Sequence, residues 1–540
     1  MDSTGCSMRI TYLSIATIAC SLVAPSLVLG GTYYIAANGS DSQDGMEKTH
    51  ASGSTGPWLH APGMPSCSGS CASHTPTAGD RFIFRGGDAW HFGNSSASPY
   101  VGSGGWTWSG WSGTSASNMI YVGVDQTWYS GSSWARPILT ADNPTSTSAV
   151  ASCAYRIGGS GGANQMVVLN GVKFIQFDNF EMTGLCWNDT GTGYQDQYIN
   201  HNGASAGNGN GYIISNVYIH GWTHTAFRCG SGACGGAGAF EGYNQAGGVT
   251  LEYNVVDGSD SDDTTLDTIF ADGYIVQYNV IRHVGGSSVP NNCHLVHDNL
   301  FEYINNSTDG AEHSDVLMCY GEAGLGSSNP NMFYNNVFRY IGTEHSEAPS
   351  VSTLWLFPPS GQTDYVFNNV AHDIYSQSNY FNLNQGGGPG GGNLTMYNNT
   401  MVNPLIGCTA GGTVTATNNH WVMASGSAFN CSASESHATY MTPATASSQG
   451  YTSANDYSPT LGTSPTVGAG TSLASSCSTL SALCNGTTGG CSYNSTSHTV
   501  TCPATVVNAR LSAWDVGAYQ FKSGSSTPPS NPPSVTAVVH

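Results

Sequence analysis

The chain has 540 residues, of which 12 are Lys or Arg and 33 Asp or Glu, a formal net charge of -21 with only 8% charged residues; an ordinary soluble domain has about 25%. So few cations exclude nucleic acid and anionic membrane surfaces as partners, because phosphate is bound by clustered Lys and Arg. A hydrophobic content of 39%, with 28 Tyr and 12 Trp, excludes disorder, and 70 Gly without a Gly-X-Y period exclude collagen.

Residues 1–30 carry Arg9, then an uncharged apolar stretch from Ile10 to Leu29 that ends at Gly30 and Gly31. This is the pattern of a secretory signal peptide, and no later stretch is apolar over the roughly 20 residues a membrane span needs. Fourteen Cys lie beyond it, an even number suited to an oxidising space. Sequential spacing suggests seven pairs: Cys67 with Cys71, Cys153 with Cys186, Cys229 with Cys234, Cys293 with Cys319, Cys408 with Cys431, Cys477 with Cys484, and Cys491 with Cys502.

From residue 175 onward one pattern recurs: alternating apolar residues, an Asn, then a second short apolar run, as in YIISNVYIHG, VTLEYNVVDG, YIVQYNVIRHV and MFYNNVFRYI. The shared residues are Asn179, Asn216, Asn254, Asn279, Asn299, Asn336, Asn369, Asn399 and Asn419. Alternation at period two means strands, and Asn tolerates the left-handed backbone of a sharp bend between them. Steps as short as 20 residues fit one coil of a solenoid, with the Asn side chains stacked in a ladder at about 4.8 Å. Phe177, Val217, Ile219, Leu251, Val280, Leu300, Phe338, Val366 and Met396 are expected inside the coils.

The opening Tyr33 to Asp41, then Gly45, Pro57-Trp58 and Ala78 to Gly87, and the closing Trp514-Asp515-Val516-Gly517-Ala518-Tyr519, make the chain resemble secreted bacterial right-handed parallel β-helix proteins of the pectate-lyase-like superfamily. The resemblance covers roughly residues 32–521. It implies an all-β fold: an N-terminal cap over 31–77, a β-helix of three-strand coils over 78–430, C-terminal coils and cap over 431–521, and a Pro/Ser-rich linker over 522–540 that opens a further module. In place of the family's usual capping helix, this chain has Pro62, Pro65 and the Cys67/Cys71 loop. The superfamily holds lyases, hydrolases, epimerases and proteins of no known activity, so it implies fold more than function.

Three clusters interrupt a chain that otherwise avoids charge: Asp257, Asp260, Asp262, Asp263, Asp267 and Asp272; Glu312, His313, Asp315 and Glu322; and Glu344, His345 and Glu347. In the repeat register the last two lie just before the strand that precedes the Asn strand; in the family that strand lines the substrate groove. Converging carboxylates repel unless a cation or a shared proton compensates, and hard oxygen ligands favour Ca²⁺, for which Asp262, Asp263 and Asp267 are the candidate ligands; the alternative for this run is a solvated loop. His313, Asp315, Glu312 and Arg228 are the candidate catalytic residues, with Glu344, His345 and Glu347 as substrate contacts. His294 and His297 are expected to face outward on a sheet. Arg282, Glu302, Arg339 and His372, each three residues after a shared Asn, are expected to stack as an exposed structural ladder.

Two functions fit. One is a secreted polysaccharide lyase or glycoside hydrolase acting in a groove along the first parallel sheet: a lyase needs a base and a cation, a hydrolase two carboxyls across the scissile bond. The net charge disfavours an acidic polymer except through metal, an objection a neutral glycan escapes. The other is a non-catalytic surface, adhesion or glycan-binding rod.

Overall fold

The computed structural model describes residues 30–522 outside the segments 159–163, 188–195, 204–210, 226–236, 242–248, 262–274, 286–293, 306–314, 320–329, 343–351, 376–380, 384–390, 409–411 and 503–507 and positions 149, 357 and 359. Each coil contributes a strand to as many as three parallel sheets, making a parallel β-helix. Sheet 1 consists of two four-stranded parts, Trp106–Ser109 to Ala237–Glu241 and Asp315–Cys319 to Ile406–Cys408. Sheet 2, the strands before the Asn corner, has 13 described strands from Thr32–Ile35 to Ala433–Ser436. Sheet 3, after the corner, has 12, from Ala89–His91 to Thr439–Met441.

Period-two alternation sends every second side chain inward. On sheet 2 the inward row includes Phe177, Ile214, Leu251, Val276, Val296, Phe333, Val366 and Met396, in register from coil to coil. Sheet 3 supplies Met182, Ile219, Val256, Ile281, Phe301 and Phe338, and the two rows merge into one core that runs the length of the rod. Seven of the nine expected interior residues lie in that core. Val280 and Leu300 do not. They are buried on the outer face of sheet 3, with Val255, Val337 and Val370, under Ala518 and Tyr519.

The Asn ladder forms over seven of the nine positions. Nδ2 of Asn254, Asn279, Asn299, Asn336, Asn369 and Asn399 each donates to Oδ1 of the next member at 2.9–3.1 Å, ending at Asn419. The sharp bend is made one residue earlier than expected. Tyr253, Tyr278, Asp298, Asn335, Asn368, Asn398 and Asn418 hold the positive φ, and Asn179 and Asn216 belong to this corner row rather than to the ladder. The ladder ends instead on the backbone N–H of Val217, which donates to Oδ1 of Asn254 at 3.0 Å.

The corner amides have a second use. Asn368, Asn398 and Asn418 donate to the carbonyls of Asn485, Asp515 and Thr471, each at 2.8 Å. They fasten the segment after Met441, which folds back along the rod and covers part of the outer faces of sheets 2 and 3. This cover buries the ladder expected to be exposed: Glu302 is 5% exposed and His372 fully buried. Arg339 donates two bonds to Glu302 Oε2, and Asp456 of the cover joins Arg339 and His372.

Disulfides link Cys67–Cys71, Cys153–Cys186, Cys477–Cys484 and Cys491–Cys502, as the spacing suggested, and Cys431 is also disulfide-bonded. Cys229, Cys234 and Cys293 lie outside the described residues. At the N-terminus a single helical turn, Gly69–Ser73, follows Cys67. Among the described residues no helix is long and apolar enough to cross a membrane.

Candidate functional site

Of the sequence-derived site residues, Asp315 alone has a described backbone: it opens the sheet 1 strand Asp315–Cys319 and pairs with Ser352 of the strand Ser352–Leu356. The strands that follow the second and third clusters are therefore hydrogen-bonded neighbours on consecutive coils. Glu312, His313, Glu344, His345, Glu347, Asp262, Asp263, Asp267 and Arg228 lie outside the described residues. Among the described residues no group of three or more His, Cys, Asp or Glu has the arrangement to hold a metal.

The described end of the Asp-rich run is engaged by its own fold. Asp257 lies on sheet 3, 3.6 Å from the Arg282 guanidinium. Asp260 accepts the Gly221 N–H and pairs with Nδ1 of His220 at 2.8 Å, while Nε2 of His220 meets Glu181 at 3.1 Å. Burial opposes charge on this imidazole, but the hydrogen bonds and charges of Asp260 and Glu181 prevail and raise its pKa to about 9. His220 is thus a cation at neutral pH, clamped between two anions, and cannot act as a base there. His297 faces outward, stacked on Tyr334 and bonded to Asp298. His294 stands just before the strand Leu295–His297, half-buried, and its side chain bonds Asn331.

A second pair of carboxyls stands on the outer face of sheet 2. Asp178, Ser215 and Glu252 occupy the same register position on three adjacent strands, Ile175–Asp178, Tyr212–Ser215 and Val249–Glu252. Two strand spacings separate the acids, about 9.6 Å between backbones. Asp178 receives the Tyr121 hydroxyl at 2.9 Å and, on its other oxygen, the Ser215 hydroxyl and the Asn216 amide, each at 2.7 Å. Glu252 receives one bond, from Gln277 Nε2 at 2.7 Å. Burial raises the Glu252 pKa above its ordinary value, Gln277 only partly offsets this, and the charge on Asp178 adds to it. Unequal environments on two nearby carboxyls are what separates a proton donor from an anion. Glu252 sits beside the stacked rings of Tyr253 and Tyr278, 5.0 Å apart at the corner, and the exposed Arg81 lies over Tyr121, the hydroxyl partner of Asp178, at 4.3 Å.

Neither the Asp178/Glu252 pair nor the Glu181/His220/Asp260 clamp shows as acids close together in the chain, because each assembles one residue per coil. The usable signal was the register itself: Asp178, Ser215 and Glu252 each stand immediately before the corner residue of their repeat.

No family model matches the chain, and no curated protein matches it. Among solved structures the chain is similar to the pectate lyase Pel9A (13% identity, TM-score 0.40, covering 92% of this chain and 98% of that one). It is also similar to a rhamnogalacturonan lyase (13%, TM-score 0.38, covering 76% and 88%). A further similarity is to a GH136 lacto-N-biosidase from Eubacterium ramulus (12%, TM-score 0.34, covering 76% and 68%).

Proposed function

We propose that the chain is a secreted carbohydrate-active protein that hydrolyses a glycosidic bond in a neutral glycan laid across the coils of sheet 2. The observation that carries this reading is the Asp178/Glu252 pair. Its backbone spacing of about 9.6 Å, two strand separations, lies just above the roughly 6.5–9.5 Å between carboxyl groups at which two acids act with inversion, one giving a proton to the leaving oxygen and the other activating water. Glu252, holding its proton to higher pH than an ordinary carboxyl, is the acid, and Asp178 is the anion. A polyuronate is disfavoured, because Asp178, Glu252 and Asp298 line the face and Arg81 stands at its far end.

A second reading keeps the chemistry at the entrance of sheet 1, and the pairing of Asp315 with Ser352 favours it. There Glu312, His313 and Asp315, with Arg228, would act on substrate held by Glu344, His345 and Glu347. Ca²⁺ held by Asp262, Asp263 and Asp267 would supply positive charge for β-elimination on a uronate. A panel of neutral and acidic polysaccharides, assayed with and without chelator for the wild type, Glu252→Gln and the His313→Ala/Asp315→Ala double variant, separates the two. Activity on a neutral glycan lost only in Glu252→Gln supports the first. Chelator-sensitive activity lost only in the double variant replaces it with the second, and binding without turnover leaves a glycan-binding surface protein.

A further inference from the structure

The hairpin made by strands Ser492–Asn494 and Thr499–Thr501, closed by the Cys491–Cys502 disulfide, sits on the outer face of sheet 3. Its apolar seat is made by Tyr493 and Val500 against Tyr218, Val255 and Val280. Its polar seat centres on His498, a residue held at φ 49° in the turn. The His498 ring stacks on Tyr218 with centroids 4.2 Å apart and planes 9° from parallel. His220 stacks on the same tyrosine with the same 4.2 Å and 9°. Two rings cannot share one face at that distance, so Tyr218 is sandwiched between the two imidazoles.

The charges around His498 can be named element by element. On its own hairpin, the Tyr493 hydroxyl lies 2.7 Å from Nδ1, and Arg282 covers the Tyr493 ring at 4.9 Å. From sheet 3 come the His220 cation, Glu181 and Asp257; the carboxylates are already engaged, Glu181 by His220 and Asp257 by Arg282. From the segment before sheet 3's second strand comes Arg136, whose guanidinium binds the carbonyls of Ser497 and His498, each at 3.1 Å. Two fixed cations, His220 across the sandwich and Arg136 on its own backbone, therefore face a ring that is neutral at pH 7.5.

We infer that this hairpin is an acid-released latch, docked on sheet 3 while the His498 ring is uncharged and let go when that ring takes a proton. Undocked, His498 is an ordinary histidine that protonates near pH 6.5. Docked, burial and then the charges of His220 and Arg136 lower its pKa, against weaker opposition from Glu181 and Asp257. The undocked state thus binds more protons, and docking weakens as pH falls below about 6.5. Release has a path to the sheet 2 acids, a consequence that rests on the hydrolytic reading: Arg136 also binds the carbonyl of Asn216 at 3.2 Å, and the Asn216 side chain holds Asp178.

The test is amide hydrogen exchange of residues 492–501 in the full chain at pH 7.5 and pH 5, corrected for intrinsic rates, in the wild type and in His498→Asn, which stays neutral and tolerates the left-handed turn. The wild-type hairpin should lose protection at pH 5 relative to pH 7.5, and His498→Asn should lose none. Equal wild-type protection at both pH values overturns the latch, as does the same acid loss in His498→Asn. If the variant is undocked throughout, the wild-type His498 ring is titrated by NMR. Hairpin amide shifts that follow its midpoint support the latch, and a ring that protonates while the hairpin shifts stay still overturns it. No readout uses turnover, so failure here is distinct from failure of the hydrolytic reading.

Discussion

Oδ1 of Asn299 accepts two hydrogen bonds from Asn279, one from its backbone N–H at 2.9 Å and one from its side-chain Nδ2 at 3.0 Å. Nδ2 of Asn299 in turn reaches both Asn336 and the carbonyl of Val276. Every polar atom of the amide is thereby matched inside a fully buried corner, which water cannot repair. Replacing Asn299 by Ala strands the Asn279 backbone N–H and takes a donor from the Val276 carbonyl, while Asn279 Nδ2 keeps the carbonyls of Leu251 and Gln277. At about 1–3 kcal/mol for each unsatisfied buried group, partly relieved by relaxation, the expected loss is about 3 kcal/mol. Urea unfolding of Asn299→Ala measures it. Asn179→Ala, off the ladder and half-buried, should cost clearly less.

The buried Glu302 is held by two guanidiniums, Arg282 at 3.1 Å and Arg339 at 2.8 Å. Removing it leaves two half-buried cations facing each other, so Glu302→Ala should destabilise by about 3 kcal/mol, the lower end for breaking a buried pair. Glu302→Gln, which keeps the acceptor without the charge, should recover part of that loss in the same unfolding assay.

Beside it, burial works against the charge on both His372 and Asp456, but the hydrogen bonds and charges of Asp373 and Asp456 prevail on His372 and raise its pKa, while those of His372 and Arg339 prevail on Asp456 and lower it. His372 contributes stability that is complete below its unfolded value near 6.5 and is lost as pH rises through its folded value. Asp456 contributes stability present above its unfolded value near 3.8 and lost as pH falls through its folded value. The pair should hold the cover most firmly between about pH 4 and 6.5. In Asp456→Asn, thermal midpoints measured across pH 3–9 should lose that maximum relative to the wild type.

The Cys153–Cys186 bond closes a loop of 33 residues and ends on the fully buried Cys186. Replacing both cysteines by Ser should lower stability by about 3 kcal/mol, chiefly by freeing the unfolded chain. Differential scanning calorimetry of the oxidised wild type against the double variant tests this.

What was legible in the sequence follows period and spacing. Alternation around a recurring Asn reveals the coils, the ladder and most of the inward row, because a strand's two faces differ wherever one meets the core and the other water. That rule fails at Val280 and Leu300. Both faces of sheet 3 are apolar there, and the outer one is covered by residues some 200 positions away. It fails again at Asn179 and Asn216, where the only Asn of the repeat stands at the corner instead of the ladder. The Arg282/Glu302/Arg339/His372 row was legible as a stack, but its burial was not, since the burying partner is Asp456. The acids on sheet 2 went unseen because Asp178 lies within a repeat copy, FIQFDNFEM, and looks like any outward polar residue until Glu252 is placed two strands away.

Cleavage of a neutral glycan by a protonated Glu252 and an anionic Asp178 is measured by reducing-end release from the active member of the polysaccharide panel, compared between wild type and Glu252→Gln across pH. General acid catalysis contributes about 10²–10⁴-fold. The prediction is therefore a loss of at least about 100-fold in kcat in Glu252→Gln with an unchanged fold, no effect of chelator, and a wild-type alkaline limb set by Glu252 above the ordinary carboxyl value near 4.5. Equal kcat in the two proteins, or products released only when a divalent cation is present, would contradict it.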